Sequence, residues 1–149
     1  MVECEKEIEV YIDGSSLGNP GPSGAGMLIL DYNTKQVLAS RAVTLGLGTN
    51  NQAECLALKY ALMELQQLEL AHASVRVFTD SALVVGLFQK CWRAKANLAL
   101  VGEVRSLIKW FPKLILAHMP GHNGNPHNEE ADRLARCAAL RCKNSDGPF

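Results

Sequence analysis

The sequence has little that suggests an extracellular or membrane protein. It holds five cysteines among 149 residues, an odd number, and none of them form a C-x-x-C pair. This pattern argues against a disulfide framework and a zinc site, and favours reduced thiols. No apolar run approaches the roughly 20 residues of a membrane span, and the acidic N-terminus lacks the apolar core of a signal peptide. We therefore predict a cytoplasmic protein without a membrane partner. The cysteines are Cys4, Cys55, Cys91, Cys137 and Cys142.

Net charge is also lacking, because 15 Lys and Arg residues balance 15 Asp and Glu residues. The global charge therefore selects no partner, and a nucleic acid would have to be attracted by local basic groups. The hydrophobic fraction of 48% and the charged fraction of 20% are ordinary for a globular protein. The length fits one domain. We predict this domain over residues 1–143, followed by a C-terminal tail over residues 144–149.

One stretch, Val10–Pro22, organises the rest of the chain. Apolar Ile8, Val10 and Ile12 alternate with other residues just before Asp13, which is the period-two pattern of a strand. A run of Gly, Ser, Asn and Pro then replaces the apolar pattern. Taken alone, Asp13 and the glycine after it are typical of a hairpin turn. Three later acidic residues give the stretch a second interpretation.

The remaining pattern predicts an α/β fold with the order β-β-β-α-β-α-α-β-α. Short connections favour an antiparallel meander of the first three strands. The long first helix then returns the chain to a fourth strand that lies parallel to the first. After the first strand, the predicted strands are 24–30, 36–43, 75–79 and 113–119, and residues 45–48 are predicted to form a loop. The predicted helices are 49–68, 81–89, 97–110 and 126–141, with Asn97 and Asn125 as caps of the last two.

Four carboxylates fall where this arrangement would bring them together. Asp13 and Asp80 each follow a strand, and neighbouring strands lie about 4.8 Å apart. Glu54 falls in the first turn of the connecting helix, and Asp132 falls early in the last helix. Each has an ordinary alternative: Glu54 in a capping box with Asn51, Asp80 as a helix cap, and Asp132 as a favourable charge near a helix N-terminus.

Taken together, these acids favour a metal site. A cluster of unpaired carboxylates repels itself and attracts a cation. Oxygen ligands without cysteine or paired histidine indicate Mg²⁺ or Mn²⁺ rather than zinc. Two such ions about 3.5–4 Å apart form the usual arrangement for in-line attack on a phosphodiester.

The sequence resembles the type 1 ribonuclease H family, which cuts the RNA strand of RNA–DNA hybrids. The resemblance rests on four blocks in family order across nearly the whole chain: Tyr11–Pro22, Thr49–Glu54, Phe78–Ser81 and Pro120–Asp132. It implies a five-stranded mixed sheet, a meander of three strands plus two parallel strands, with helices on both faces. It also implies two-metal hydrolysis that leaves 5′-phosphate and 3′-hydroxyl ends.

The resemblance assigns roles by position. It implies that Asp13, Glu54, Asp80 and Asp132 bind the metal, and that His122 assists proton transfer or product release. It places Asn19, Thr49, Asn50 and Asn51 near the hybrid backbone, where amides and hydroxyls can recognise a 2′-OH. The residue pattern adds two expectations: Asn128 shares a helical face with Asp132, and alternation with Leu114 and Leu116 gives His118 a core or edge position on the fifth strand.

The sequence departs from the family in two places. Ala82 stands where a glutamine is frequent after the Asp-Ser pair. The basic connection before the third helix is short, and we predict that its Lys90, Trp92, Arg93 and Lys95 bind substrate. The alternative is a solvated loop whose Trp92 packs on the core.

These observations predict a metal-dependent endoribonuclease acting on RNA–DNA hybrids. We expect two Mg²⁺ ions with substrate bound, Mn²⁺ as a substitute, a monomer, and no obligatory protein partner. Two alternatives remain open: a non-catalytic hybrid-binding module, and another nuclease of the same fold such as a resolvase or exonuclease. The intact set of four acids argues against the first, and the Thr49–Asn51 and Gly121–Gly124 stretches argue against the second.

Overall fold

The computed structural model describes residues 6–120 and 124–145, and the order of its elements is the one that the sequence predicts. The strands are β1 (Glu7–Ser16), β2 (Gly21–Asp31), β3 (Val37–Gly48), β4 (Ser74–Thr79) and β5 (Leu114–His118). The helices are α1 (Asn50–Gln67), α2 (Ala82–Phe88), α3 (Leu98–Ile108) and α4 (Pro126–Ser145).

The five strands form one open mixed sheet in the order β3-β2-β1-β4-β5. β1 pairs antiparallel with β2, and β2 pairs antiparallel with β3. β4 runs parallel to both of its neighbours, β1 and β5. The predicted meander of three strands plus two parallel strands is therefore confirmed.

Helices cover both faces of this sheet. Alternate residues of β1 point to opposite sides, and β1 carries apolar residues on each side. Ile8, Val10 and Ile12 are buried in the main core, which also contains the apolar residues of α1, α2 and α3. Tyr11 points the other way and packs in a smaller cluster with Ala131 of α4. Asp13 has the same parity as Tyr11, so β1 directs it toward the α4 face.

α4 approaches β2 closely at a glycine. A Cβ on Gly26 would overlap the carbonyl oxygen of Ala131 and would lie 2.7 Å from the backbone nitrogen of Ala135. The absence of a side chain at Gly26 therefore fixes how near α4, with its Asp132, can come to the sheet.

The structure corrects the sequence interpretation at several element boundaries. Residues 45–48, predicted as a loop, belong to β3, whose register shifts between the Ser23–Gly46 and Gly24–Thr44 pairs. Gly46 has a φ of 78°, so its glycine marks an irregularity within the strand rather than the end of the strand. α3 ends at Ile108, and α4 continues to Ser145, beyond the predicted end at Arg141 and into the predicted tail.

Among the described residues, no helix combines the length and the apolar character that crossing a bilayer requires.

Candidate active site

Asp13 lies just beyond the parallel pairing of the two central strands. The register of β1 with β4 ends at the Tyr11–Phe78 pair, while β1 stays paired with β2 as far as Ser16. The sequence suggested that the strand ends at Asp13, but β1 continues to Ser16. Asp13 does lie past the end of the parallel pairing, and its side chain is buried, with 6% relative exposure.

Glu54 reaches this position from α1, just past the first turn of the helix rather than within it. The Gly14 backbone N–H donates a 2.7 Å hydrogen bond to Oε1, and the Thr79 hydroxyl lies 3.4 Å from Oε2. Gly14 permits this approach, because a Cβ there would lie 2.5 Å from the backbone nitrogen of Glu54. Glu54 is therefore buried and held by the strand that carries Asp13 and by the strand that precedes Asp80.

Asp80, which directly follows β4, completes a cluster of three carboxylates. One ligand oxygen from each of Asp13, Glu54 and Asp80 lies within 4.8 Å of the others. Asp80 is the most exposed of the three. Three oxygen donors at this spacing can converge on a single divalent cation.

The capping alternatives for two of these acids are wrong. The capping box of α1 joins Thr49 to Gln52, not Asn51 to Glu54. The cap of α2 is Ser81, whose hydroxyl accepts a 3.2 Å hydrogen bond from the Val84 N–H. Glu54 and Asp80 therefore have no capping role that would account for their positions.

Asp132 lies beside the cluster on α4. Its carboxyl group is one of the causes that raise the pKa of Asp13, and one of its oxygens lies 2.9 Å from Nη2 of Arg136. The group of three oxygens within 4.8 Å does not include Asp132. The structure thus places the fourth predicted acid at the edge of the cluster, paired with a cation one helical turn away.

Burial sets the electrostatics of the cluster. It raises the pKa of Asp13 far above the usual aspartate range, and the nearby carboxylate of Glu54 raises it further. Burial likewise raises the pKa of Glu54, although hydrogen bonds from Asp13, Gly14 and Thr79 act in the opposite direction. Because the charged forms are disfavoured without a counterion, a bound cation would relieve both the burial and the repulsion.

Of the predicted asparagines, Asn19 lies in the turn between β1 and β2, and Asn50 and Asn51 begin α1. The Asn50 N–H donates to Oδ1 of Asn19 at 2.9 Å, and the Ser16 N–H donates to Oδ1 of Asn50 at 3.1 Å. Asn51 is exposed on the first turn of α1. We call Thr49–Asn51 the asparagine strip. These bonds tie the strip to the glycine-rich turn that follows β1.

The segment of residues 89–97 between α2 and α3 carries the predicted basic residues, and we call it the basic segment. Lys90, Arg93 and Lys95 are exposed, and Trp92 keeps 48% of its surface exposed. The Trp92 ring lies against Gly86, where a Cβ would clash with it. Trp92 is therefore partly packed and partly open. Its contact with Gly86 agrees with the alternative in which Trp92 packs on the core, while its exposed part agrees with the substrate-binding interpretation.

A cavity separates the basic segment from α1. Its volume is about 360 Å³. The lining includes Asn51 and Cys55 from α1, and Trp92, Lys95 and Asn97 from the other side.

Three further residues complete the comparison with the sequence prediction. His122 lies outside the described residues. Asn128 is 5% exposed on α4, and its backbone N–H donates to Asn125 Oδ1, which confirms Asn125 as a cap. His118 is exposed on the edge strand β5, with Nε2 3.2 Å from the Asp80 carbonyl oxygen.

Gln52 is a further residue of the site, and it was not among the predicted ones. Its backbone N–H donates to the Thr49 hydroxyl at 3.1 Å, and its Oε1 accepts from the Thr49 N–H at 2.9 Å. The Thr-x-x-Gln spacing is the signature of a capping box, so the signal was present in the sequence. Thr79 and Ser16 were not predicted either, because their contacts depend on tertiary structure and leave no such signature.

Comparisons with known proteins agree with this geometry. The RNase H family model matches residues 5–140. The chain is 36% identical over 151 residues to the ribonuclease H of Campylobacter concisus, an alignment that covers 95% of this chain and 98% of the relative.

Two solved structures are similar to the whole fold. RNase H1 from the halophilic archaeon Halobacterium salinarum NRC-1 is 29% identical, with a TM-score of 0.79 over 91% of this chain and 98% of that one. LC11-RNase H1 in complex with an RNA/DNA hybrid is 31% identical, with a TM-score of 0.80 over 90% and 97%.

Proposed function

Because this chain belongs to the ribonuclease H family, we propose that it is a metal-dependent endonuclease that hydrolyses the RNA strand of RNA–DNA hybrids. One observation carries the proposal: three carboxylates from β1, α1 and the end of β4 converge within 4.8 Å. A protein that only bound hybrids would gain nothing from acids facing phosphates, because the charges repel each other. The RNA/DNA hybrid held by the similar LC11-RNase H1 supports the substrate class.

The donor set fits Mg²⁺, with Mn²⁺ as a substitute. All its ligand atoms are carboxylate oxygens, which hard divalent cations prefer. Asp13, Glu54 and Asp80 would hold the cations, and Asp132 would join them from α4. When bound, the cations would lower the pKa of an attacking water and stabilise the leaving 3′ oxygen, which yields 5′-phosphate and 3′-hydroxyl ends.

The carboxylates would hold the cations in place because their own side chains are held in fixed orientations. Glu54 is fixed by Gly14 and Thr79, so its oxygens stay aimed at the cluster as substrate arrives. Asp132 is held by Arg136 at 2.9 Å. This ion pair would restrict the rotation of the Asp132 side chain beside the cluster. His122 would carry a proton during turnover or release of the product.

The asparagine strip and the basic segment would each bind one strand of the hybrid. The asparagine strip offers amides and a hydroxyl, groups that can both donate to and accept from a 2′-OH. The basic segment offers three exposed cations and a half-exposed indole, which suit phosphates and sugar or base faces. We propose that the strip binds the RNA strand and the basic segment binds the DNA strand.

A gel assay with three substrates tests this function. The RNA strand of a labelled RNA–DNA hybrid should be cut in Mg²⁺, while duplex DNA and duplex RNA of the same sequence stay intact. EDTA should stop cleavage. Asp13→Asn serves as the matched inactive control for contaminating nuclease. Equal cleavage of all three duplexes would contradict hybrid specificity, and binding of hybrid without any cleavage in Mg²⁺ or Mn²⁺ would favour the non-catalytic module.

A further inference from the structure

One side chain connects the asparagine strip to the basic segment. Gln52 uses both halves of its amide: Oε1 accepts from the Thr49 N–H at 2.9 Å, and Nε2 donates to Asn97 Oδ1 at 3.2 Å. Thr49 begins the asparagine strip, and Asn97 ends the basic segment. A single residue therefore joins the start of α1 to the start of α3.

The conformation of Asn97 is consistent with a specific role for this contact. Its backbone is left-handed, with φ 54° and ψ 41°, and its side chain makes no capping hydrogen bond to α3. The prediction that the Asn97 side chain caps this helix is therefore wrong. Asparagine tolerates the left-handed region better than most residues. Its side-chain oxygen bonds to the other helix instead of to its own.

The rest of the basic segment is held at a separate point. The Trp92 N–H donates to the Gly86 carbonyl at 2.9 Å, and Nη2 of Arg105 donates to the Trp92 carbonyl at 2.6 Å. These bonds attach the middle of the segment to α2 and α3. The Gln52–Asn97 bond attaches its end to α1, and Asn97 also lines the 360 Å³ cavity.

We propose that Gln52 and Asn97 form a positioning pair that sets the spacing between the asparagine strip and the basic segment, and thereby the affinity for the hybrid. The inference rests on the proposed function. Neither residue needs to touch the substrate. The pair acts by preorganising two surfaces that must contact two strands at once, and preorganisation lowers the cost of binding.

The expected kinetic signature is a change in KM rather than kcat. Glu54 is fixed by Gly14 and Thr79, so its position does not depend on the bridge. The carboxylate cluster should therefore remain intact when the bridge is lost. Weaker binding of the hybrid then raises KM, whereas kcat is preserved.

A double-mutant cycle tests the pair. Gln52→Glu keeps the acceptor for the Thr49 N–H, and the Asn97 amide can rotate to donate to the new carboxylate. Asn97→Asp keeps the acceptor for the Gln52 amide. The double variant places two carboxylates face to face, which breaks the bridge. We expect its KM for a hybrid to exceed the product of the two single effects by roughly 3- to 10-fold, with kcat within about twofold of wild type.

Asn97→Gly provides a second variant that adds no charge. Glycine adopts the left-handed backbone readily, so α3 should start unchanged while the bridging side chain is absent. KM should rise and the melting temperature should stay close to that of wild type. Asn97→Asp keeps the acceptor that Asn97→Gly lacks. At a salt concentration that screens the added charge, its KM should therefore be much closer to the wild-type value than the KM of Asn97→Gly.

The outcomes separate this inference from the proposed function. Purely multiplicative KM effects in the cycle, together with an unchanged KM for Asn97→Gly, would overturn the positioning role. A fall in kcat and melting temperature at constant KM would also overturn it, because that pattern indicates a structural bond alone. If the wild-type protein cleaves no hybrid, the proposed function itself is wrong and the inference falls with it.

Discussion

At the scale of single residues, Asp13 and Glu54 share a buried site that disfavours two negative charges. Burial raises the pKa of Asp13 above its usual range, and Glu54 adds repulsion. A carboxyl group whose folded pKa is raised stabilises the fold fully below its unfolded pKa, and that stability is lost as pH rises toward the folded pKa. The metal-free protein should therefore lose stability between about pH 4 and alkaline pH.

Asp13→Asn tests both the metal and the electrostatic account. The substitution keeps the size of the side chain and removes its charge. Cleavage should fall by orders of magnitude, because a metal ligand is lost. The metal-free melting temperature at pH 8 should be equal to or higher than that of wild type, and it should change less between pH 5 and pH 9.

Activity assays in Mg²⁺ and thermal scans in EDTA supply these two measurements. Near-normal cleavage would exclude Asp13 as a ligand. A metal-free melting temperature that depends on pH as strongly in the variant as in wild type would exclude the proposed source of the pH dependence.

His122 belongs to the same scale, and its role stays a prediction from the sequence. If it transfers a proton or assists release, His122→Ala should lower kcat by about 10–10³-fold and leave KM nearly unchanged. Steady-state kinetics on a hybrid measure both constants. A large rise in KM at constant kcat would instead assign His122 to substrate binding.

At the scale of elements, the packing of α4 on β2 determines where Asp132 lies. Gly26→Ala would drive a methyl group into the Ala131 carbonyl and against Ala135, so α4 must shift. Overpacking of this kind costs about 1–3 kcal/mol in the free energy of unfolding. Activity should fall more than the loss of folded protein explains, because α4 carries Asp132.

Gly102→Ala is the matched control, because a Cβ at this helical glycine meets nothing within 4 Å. It should stabilise α3 by roughly 0.5–1 kcal/mol and leave activity unchanged. Denaturant titration and initial rates compare the two variants. If Gly26→Ala proved as stable and active as Gly102→Ala, the close approach of α4 would not position Asp132.

The sequence predicted the order of elements because local apolar patterns and short connections determine it. It failed where one local signal has two meanings. Gly46 and its neighbours suggested a loop, but the glycine accommodates a shift of register inside β3. Asn97 suggested a side-chain cap, but its oxygen bonds to Gln52, 45 positions away in sequence. Only the packed structure decides between such partners.

The site likewise contains residues that the sequence could predict and contacts that only the packed structure decides. The convergence of Asp13, Glu54 and Asp80 was predictable because the parallel pairing of β1 with β4 and the crossover helix α1 constrain their positions. The pairing of Asp132 with Arg136 was not predicted, although its i,i+4 spacing allows it on any helix. The bonds from Gly14 and Thr79 to Glu54 depend on the exact distance between α1 and the sheet, which no sequence pattern reports.

At the scale of the whole molecule, zero net charge leaves substrate attraction to the basic segment. Replacing Lys90, Arg93 and Lys95 with alanine removes up to three phosphate contacts. Each lost contact should flatten the slope of log affinity against log salt concentration by roughly 0.7–0.9. KM should rise, while kcat at saturating hybrid stays nearly unchanged.

Lys143→Ala is the control for this triple variant, because Lys143 lies eleven residues beyond Asp132 on α4, about 16 Å along the helix. It should leave KM and the salt slope unchanged. Anisotropy titrations with a labelled hybrid in EDTA, at several salt concentrations, report the slope without cleavage. An unchanged slope in the triple variant would favour the solvated-loop interpretation.

The chemistry of the product ends tests the central claim most directly. A hybrid with internally labelled RNA is digested in Mg²⁺, and the termini are identified by mass spectrometry. If the carboxylates hold cations that activate water, every cut should lie in the RNA strand and should leave a 5′-phosphate and a 3′-hydroxyl. Cuts that leave 2′,3′-cyclic phosphates, or cleavage that persists in EDTA or in Asp13→Asn, would contradict the account.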